Sequence, residues 1–183
     1  MIDLALNHEE DVVQKLKSTW FKEKYKFYSF ADYYDIIELE KSTWKEHQLV
    51  SLNSNGEVIG FISYNIDRSC NSVTNFALVN FSGKENNITF GVDTLVAVRE
   101  IFEKFKFRKM NFEVIIGNPA ERHYDRIINK YGGRIVGIKL EDIKLFDGSY
   151  YDTKLYEISK ESYDLARGFY HDCAEGRIRS SNE

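Results

Sequence analysis

The chain has 183 residues, 43% of them hydrophobic, with 13 Phe, 12 Tyr and a formal net charge of −4. This length suits one domain, or one domain with an appendage, and the apolar share is enough for a core; the acidic balance argues against a broad electrostatic grip on nucleic acid. Cys70 and Cys173 lie far apart, and His8, His47, His123 and His171 have no ligand spacing. No stretch approaches the ~20 apolar residues of a membrane span, and the acidic N-terminus has no apolar leader, so the expectation is a cytoplasmic protein with reduced thiols, no metal and no membrane role.

Residues 9–20 and 31–46 read as helices. In the second, Tyr34, Ile37 and Trp44 fall near one helical face, with Asp35, Glu38 and Glu40 between them. The period then changes. Gln48 to Leu52, a turn at Asn53-Ser54-Asn55-Gly56, and Glu57 to Ile66 make a hairpin, because Asn-Gly supplies the positive φ that a tight turn needs. A polar turn at Arg68 to Ser72 leads to a third strand, Val73 to Phe81, so the middle of the chain opens with an antiparallel meander.

The segment Asn86-Asn87-Ile88-Thr89-Phe90-Gly91-Val92-Asp93-Thr94-Leu95 follows. A strand, a short polar loop with one glycine and then a helix make a place for an anion: the first helical amides have no partner within the helix, and the helix dipole favours negative charge there. The helix is expected from about Val92 to Lys106. Leu95, Val98, Phe102 and Phe105 form its apolar stripe, widened by Ala97 and Ile101, and pack on the sheet. Met110 to Ile116 is the next strand. A helix between two strands of one sheet implies a crossover, which allows those strands to run parallel.

Gly117-Asn118-Pro119 opens another helix, with Asn118 as N-cap, Pro119 at the first helical position and Glu121 completing a near capping box. It ends at Gly132-Gly133 in a left-handed cap. Arg134 to Ile138 and Tyr151 to Ile158 are strands either side of an Asp147-Gly148 turn, and the tail from Lys160 to Glu183 carries a helical piece at about 161–172. There is no internal repeat and no low-complexity linker.

This order, with the segments Ile115-Ile116-Gly117-Asn118-Pro119-Ala120 and Lys130-Tyr131-Gly132-Gly133-Arg134-Ile135-Val136-Gly137, resembles the GNAT acetyltransferase superfamily, particularly its branch of ribosomal-protein and antibiotic N-acetyltransferases, over roughly Leu49 to Tyr163. In that family the loop reads Gln/Arg-x-x-Gly-x-Gly/Ala, and its helix contains Ala-Leu. Here the equivalent positions are Asn86, Thr89 and Gly91, with Thr94-Leu95 for Ala-Leu. One of the two small residues is kept and the leading cation is absent; Lys84 is a candidate replacement, and Asp93 adds a negative charge near the expected diphosphate.

The resemblance implies an α/β (α+β) fold: a mixed, mostly antiparallel central sheet with helices on both faces and a splayed pair of parallel strands. It implies one GNAT-like domain over residues 1–163 and a helical, polar tail over 164–183. The implied activity is acetyl transfer from acetyl-CoA to a primary amine, on a small molecule or a protein N-terminus, by direct attack on the thioester. Its demands are a hold on the phosphates, a polarised carbonyl, a deprotonated amine and a stabilised thiolate.

The resemblance assigns the phosphates to the segment Asn86, Thr89, Phe90, Gly91, Val92, Asp93 and Thr94, mainly through main-chain amides. The thioester carbonyl goes to the strand around Ala77, Leu78 and Val79, and a pantetheine contact to Asn118. The resemblance gives the thiolate to a tyrosine on the helix after the fifth strand, and Tyr124 is the candidate there, since Tyr124, Ile127, Ile128 and Tyr131 share one inward helical face, with Tyr131 the second choice. His123 points about 100° away, among Arg126 and Lys130. Glu57, Asp67 and Glu113 are charges beside the expected cleft that read first as solvated strand faces, and the family often deprotonates the amine through water. Trp20, Phe21, Tyr25, Phe27, Tyr28, Phe30, Tyr33 and Tyr34 wall the acceptor side or form a plain helical core. The late hairpin with Phe146, Tyr150, Tyr151 and Tyr156 closes the cleft or forms the edge of a homodimer. The alternatives to an enzyme are a non-catalytic acyl-CoA-binding module on the same fold, and an interaction protein that assembles through its aromatic N-terminus and tail.

Overall fold

The hairpin turn behaves as its residues require. Gly56 sits at φ +81°, and Asn53 Oδ1 accepts hydrogen bonds from the amides of Asn55 and Glu57. From it grows the sheet that organises the molecule. The computed structural model describes residues 1–28, 37–83 and 87–174. In chain order these are β1 (Ile2–Leu4), a 3-10 turn (Ala5–His8), α1 (Glu9–Lys17), a 3-10 strap (Glu23–Tyr28), β2 (Glu46–Leu52), β3 (Val58–Asp67), β4 (Ser72–Asn80) and α2 (Ile88–Arg99). A π-turn (Glu100–Lys104), β5 (Lys109–Ile115), α3 (Ala120–Tyr131), β6 (Arg134–Lys144), β7 (Tyr150–Ser159) and α4 (Lys160–Ala174) follow.

The seven strands lie in the order β1-β2-β3-β4-β5-β7-β6. Every neighbouring pair is antiparallel except β4 and β5, which are parallel because α2 carries the chain back across the sheet. One apolar cluster joins Ile62, Tyr64, Val73, Phe102, Phe107, Met110, Phe112, Ile128 and Tyr156, and so binds α2, the π-turn and α3 to one face. A second joins Ala5, Val12, Leu16, Val50, Leu52, Val58, Phe61 and Val79, and binds the N-terminal elements to the other. Each large side chain fully buried in these clusters contributes about 1.5–3 kcal/mol of transfer free energy.

The parallel pair shares two ladder positions only, Ser72 with Lys109 and Val73 with Met110. Beyond them the strands part, and a bulge explains where. Against β3 the register runs Ser63–Ala77 and then Asn65–Thr74, so Asn75 and Phe76 share the space opposite Tyr64. Asn75 takes φ +53°, a conformation that asparagine tolerates better than most residues. A bulged strand bends, and this bulge begins two residues past Val73, the last residue paired with β5. The ladder ends there, which leaves an unpaired opening in the sheet between the C-terminal ends of β4 and β5.

Three expectations need correction. The helix expected over 31–46 does not continue through its second half: 37–42 are irregular, 43–45 form a turn and β2 begins at Glu46, while 31–36, with Tyr34, lie outside the described residues. Side chains hold this stretch open, since the Glu40 amide donates to Gln48 Oε1 and the Ser42 amide to Glu40 Oε1. Trp44, expected on a buried face, is exposed beneath the Arg68 guanidinium.

Secondly, α2 starts at Ile88 rather than Val92, because Asn87 caps it. Its inward face is therefore Phe90, Asp93, Ala97 and, in the π-turn, Ile101 and Phe102, whereas Leu95 is 69% exposed. Thirdly, β1 pairs with β2 ahead of the first helix, three residues too short to register as a period.

Candidate active site

The mouth of α2 is built by its cap. Asn87 Oδ1 accepts from the Phe90 amide at 3.1 Å, and the Gly91 amide donates to the Asn87 carbonyl at 2.9 Å. Among the described residues nothing accepts from the amides of Ile88 or Thr89, so these two donors, with the dipole behind them, face outward. No acidic residue occupies the first turn.

Gly91 lies on the open side of that turn, and a Cβ built there meets no atom within 4 Å. Thr94 turns its hydroxyl back to the Phe90 carbonyl at 2.9 Å, and Val92 is exposed. Asp93 is buried on the sheet side: Ser51 Oγ donates to its Oδ2 at 2.6 Å and the Met1 amino group is 3.1 Å from the same atom. Its charge is thus answered beneath the helix instead of standing at the mouth. Asn86 and Lys84 lie outside the described residues.

Sequence reading missed the contact that seats this helix. A Cβ on Gly60 of β3 would lie 2.2 Å from the Phe90 ring, so the ring occupies the space that a side chain would take. The only trace of this in the sequence is a glycine inside an otherwise apolar strand.

On one wall of the opening, Ala77 is exposed, Leu78 is half-buried against the main cluster, and Val79 is buried on the opposite face. After Val73 no described strand pairs with β4 on this side, and after Met110 none pairs with β5 on its side. Both walls therefore offer main-chain donors and acceptors to whatever enters.

The start of α3 forms the far wall. Asn118 Oδ1 accepts from the Ala120 amide at 3.0 Å, and the Glu121 carboxylate accepts from the Gly117 amide at 3.1 Å, so the near capping box closes one residue further back than expected. Tyr124 packs edge-on to Phe112 with ring centroids 5.2 Å apart, and 6.0 Å from Tyr156. Burial pushes its hydroxyl up to about 12, and Tyr28 of the strap adds to the effect. Neither hydroxyl, Tyr28 nor Tyr124, has a hydrogen-bond partner among the described residues. His123 is exposed on the outer side of the same helix, and the Tyr131 side chain is outside the described set.

Below Tyr124 a polar cluster fixes α3 to the sheet: the Tyr156 hydroxyl donates to Asp125 Oδ1 at 2.7 Å, and Lys154 pairs with Asp125 and Glu121. The three strand carboxylates have structural partners. Glu57 takes a hydrogen bond from Asn53, Asp67 caps the turn at Ser69 and Cys70, and Glu113 pairs with Lys139.

The strap crosses the end of the opening. Phe27 lies 3.9 Å from where a Cβ on Gly117 would be and meets Tyr151 edge-on at 6.3 Å, so the N-terminal aromatics and the late hairpin touch directly. Of the aromatics named from sequence, Phe30, Tyr33 and Tyr34 lie outside the described residues. Tyr156 faces α3 and not the hairpin tip, and Tyr150 is exposed. Among the described residues no group of His, Cys, Asp and Glu is placed to hold a metal ion, and no helix is long and apolar enough to cross a membrane.

No protein-family profile matches the sequence, and no curated protein does. Solved structures do match by shape. A GCN5-related N-acetyltransferase from Brucella melitensis superposes with a TM-score of 0.65 at 13% identity, covering 100% of this chain and 86% of that one. The spermidine/spermine N-acetyltransferase SpeG from Vibrio cholerae superposes with a TM-score of 0.56 at 19% identity, covering 65% of this chain and 68% of its own. The chain has the GCN5-related N-acetyltransferase fold.

Proposed function

We propose that this chain is an acetyl-CoA-dependent N-acetyltransferase that moves the acetyl group to a primary amine by direct attack on the thioester. The observation that carries this reading is the interrupted ladder: two parallel strands paired at two positions and unpaired beyond, with a helix N-terminus beside one wall and the unpartnered Tyr124 hydroxyl beside the other. A pantetheine arm has amides and carbonyls of its own, and unpaired strand edges are suited to it. The donors of Ile88 and Thr89, with Gly91 leaving room for close approach, suit a diphosphate.

The chemistry asks little of side chains. An amide from the Ala77–Val79 stretch polarises the thioester carbonyl as the amine nitrogen attacks and the C–S bond breaks. Tyr124 stays neutral at pH 7 and donates a hydrogen bond to the departing sulfur. A thiol near 8.5 is more acidic than this phenol, so Tyr124 steadies the thiolate without surrendering its proton. The proton lost by the amine reaches sulfur through water, which balances the step. The fold and its solved neighbours support a small-molecule amine as acceptor, and a peptide N-terminus belongs to the same chemistry. A soluble, cytoplasmic setting fits both.

The test is thermal unfolding with acetyl-CoA, then CoA release with a panel of primary amines. At ligand ~100-fold above Kd the stabilisation is about 2.7 kcal/mol, which for a chain of this size is a rise of roughly 5–10 °C in Tm. No shift, or a shift without turnover on any amine, overturns the enzyme reading. The second outcome favours a module that holds acyl-CoA without reacting it. One observation points that way: Asn87 takes the Phe90 amide that an incoming phosphate would otherwise use.

A further inference from the structure

The strap and the late hairpin meet at an ammonium ion. Lys26 Nζ lies 2.7 Å from Asp147 Oδ2, 5.0 Å from the centre of the Tyr151 ring and 6.0 Å from that of Phe27. A carboxylate with aromatic faces around it is the chemistry by which proteins recognise alkylammonium groups. The box does not depend on Lys26 for its shape. Asp147 is held from its own side, with Oδ1 accepting from the Ser149 amide at 2.9 Å and Oδ2 from the Tyr151 hydroxyl at 2.7 Å. Gly148 at φ +82° fixes the turn between them.

Lys26 is the replaceable part. It arrives on a six-residue 3-10 segment that is already kinked at Tyr25, where φ is −109° and ψ 16°. The pair is partly open, with Lys26 18% and Asp147 30% exposed, and an ion pair of that kind holds a flexible side chain only weakly.

The location is what gives the box meaning. Phe27 joins it to Gly117 at the end of β5, and the next residue, Tyr28, is close enough to weigh on the ionisation of Tyr124. The box therefore stands at the rim of the opening, next to the strap residue nearest Tyr124.

We propose that Asp147, Tyr151 and Phe27 form a subsite for a second ammonium group of the acceptor, filled in the free protein by Lys26, so that the preferred acceptors are linear diamines or longer polycations instead of monoamines. This rests on the acetyltransferase reading and adds the substrate class to it. Binding displaces Lys26 from the carboxylate and loosens the strap. The acceptor's other amine then lies toward Tyr124, and no covalent step occurs at the box itself.

The experiment uses the full chain and two probes of equal carbon length, cadaverine (a diamine) and n-pentylamine (a monoamine). Calorimetry on Lys26→Met, which empties the box and keeps its apolar stem, is expected to show cadaverine binding at least ten-fold tighter than to the parent, with n-pentylamine unchanged. Adding Asp147→Asn removes that gain. In CoA-release assays the parent prefers cadaverine by kcat/KM, and Asp147→Asn alone erases the preference by raising KM for the diamine only.

Equal affinity of Lys26→Met for the two probes overturns the proposal, and so does an Asp147→Asn enzyme that keeps its preference. Should Lys26→Met fail to fold, the Asp147→Asn comparison in the otherwise unchanged chain decides alone. Turnover of n-pentylamine with no advantage for cadaverine sinks the subsite and spares the transferase; absence of turnover with every amine sinks the transferase, while cadaverine binding still decides the box.

Discussion

At the scale of single residues, Tyr124 and Gly91 carry separable predictions. A hydrogen bond to a charged group is worth about 1.5–3 kcal/mol, so Tyr124→Phe should lower kcat by roughly 10- to 150-fold and leave acetyl-CoA affinity within two-fold, read by steady-state kinetics and calorimetry. Equal rates for the variant and the parent remove Tyr124 from the mechanism. Gly91→Val should do the reverse. A built Cβ there meets nothing within 4 Å, and valine is a better helix former than glycine by a few tenths of a kcal/mol, so stability should hold or rise slightly. Acetyl-CoA affinity should nonetheless fall at least about ten-fold, since the added methyl groups occupy the close-approach side of the helix mouth. A loss of both together would mean that the glycine serves folding, not binding.

His47 offers a third test at this scale. Its Nδ1 lies 3.0 Å from the hydroxyl of the fully buried Tyr64, and its ring meets Phe105 edge-on. Desolvation holds its pKa below the usual 6.5; Arg68 and Lys104 act in the same direction, against the Thr43 carbonyl and Glu100. The folded state thus prefers neutral imidazole while the unfolded chain takes up a proton near pH 6.5. This contribution to stability is fully present above that value and is lost as pH falls below it. Urea unfolding at pH 7.5 and 5.5 should show a larger drop for the parent than for His47→Gln.

At the scale of elements, the meander and most element types are legible because their causes are local: Asn-Gly for the first turn, Asn118-Pro119 for the start of α3, Gly132 at φ +90° for its end. The errors come from causes that are not local. The inward face of α2 is set by Phe90 resting on Gly60 and by Asp93 meeting Ser51, contacts across 30 and 42 positions, and a periodic apolar stripe cannot report them. Likewise Asn75 gives no warning of a bulge until its partners on β3 are known. In the candidate site, the Thr89 donor and the inward face of Tyr124 are legible from the segment pattern; the Ile88 donor is not, because Asn87 starts the helix early and takes the Phe90 and Gly91 amides expected to stand open, and neither is the approach of the strap to Tyr151, because it joins the first and last parts of the chain.

The Phe90–Gly60 contact gives a prediction for the element. Gly60→Ala should destabilise by about 1–3 kcal/mol through overpacking, and Phe90→Leu in the same chain should recover part of it, a non-additivity that equilibrium unfolding detects. Additive effects would show that the ring has another place to go.

For the whole molecule, charge is distributed so that acid should weaken it. Asp147 is held down at about 2, first by Lys26 and then by Tyr151 and Ser149. Asp125, Asp142, Glu121 and Glu157 are likewise lowered by Tyr156, Thr153, Lys154 and Lys109. Groups with depressed folded pKa values give stability that is present above about pH 4 and disappears as pH falls toward 2. Because these pairs tie the strap, α3 and β6 to β7 or its turn, acid should release the β7–β6 end of the sheet first. Circular dichroism and proteolysis across pH 5 to 2 would show it, with early cleavage in α3 and the strap expected.

The two-rung join between β4 and β5 has a mechanical meaning as well. The sheet is in effect two ribbons hinged at one end, and the apolar floor beneath and the strap across the far end keep them aligned. A ligand threaded between them would act as the missing rungs of that ladder and turn two loosely coupled leaves into a single plate. Amide protons on the free margins of both leaves should then become shielded from deuterium together, even those that never touch the guest.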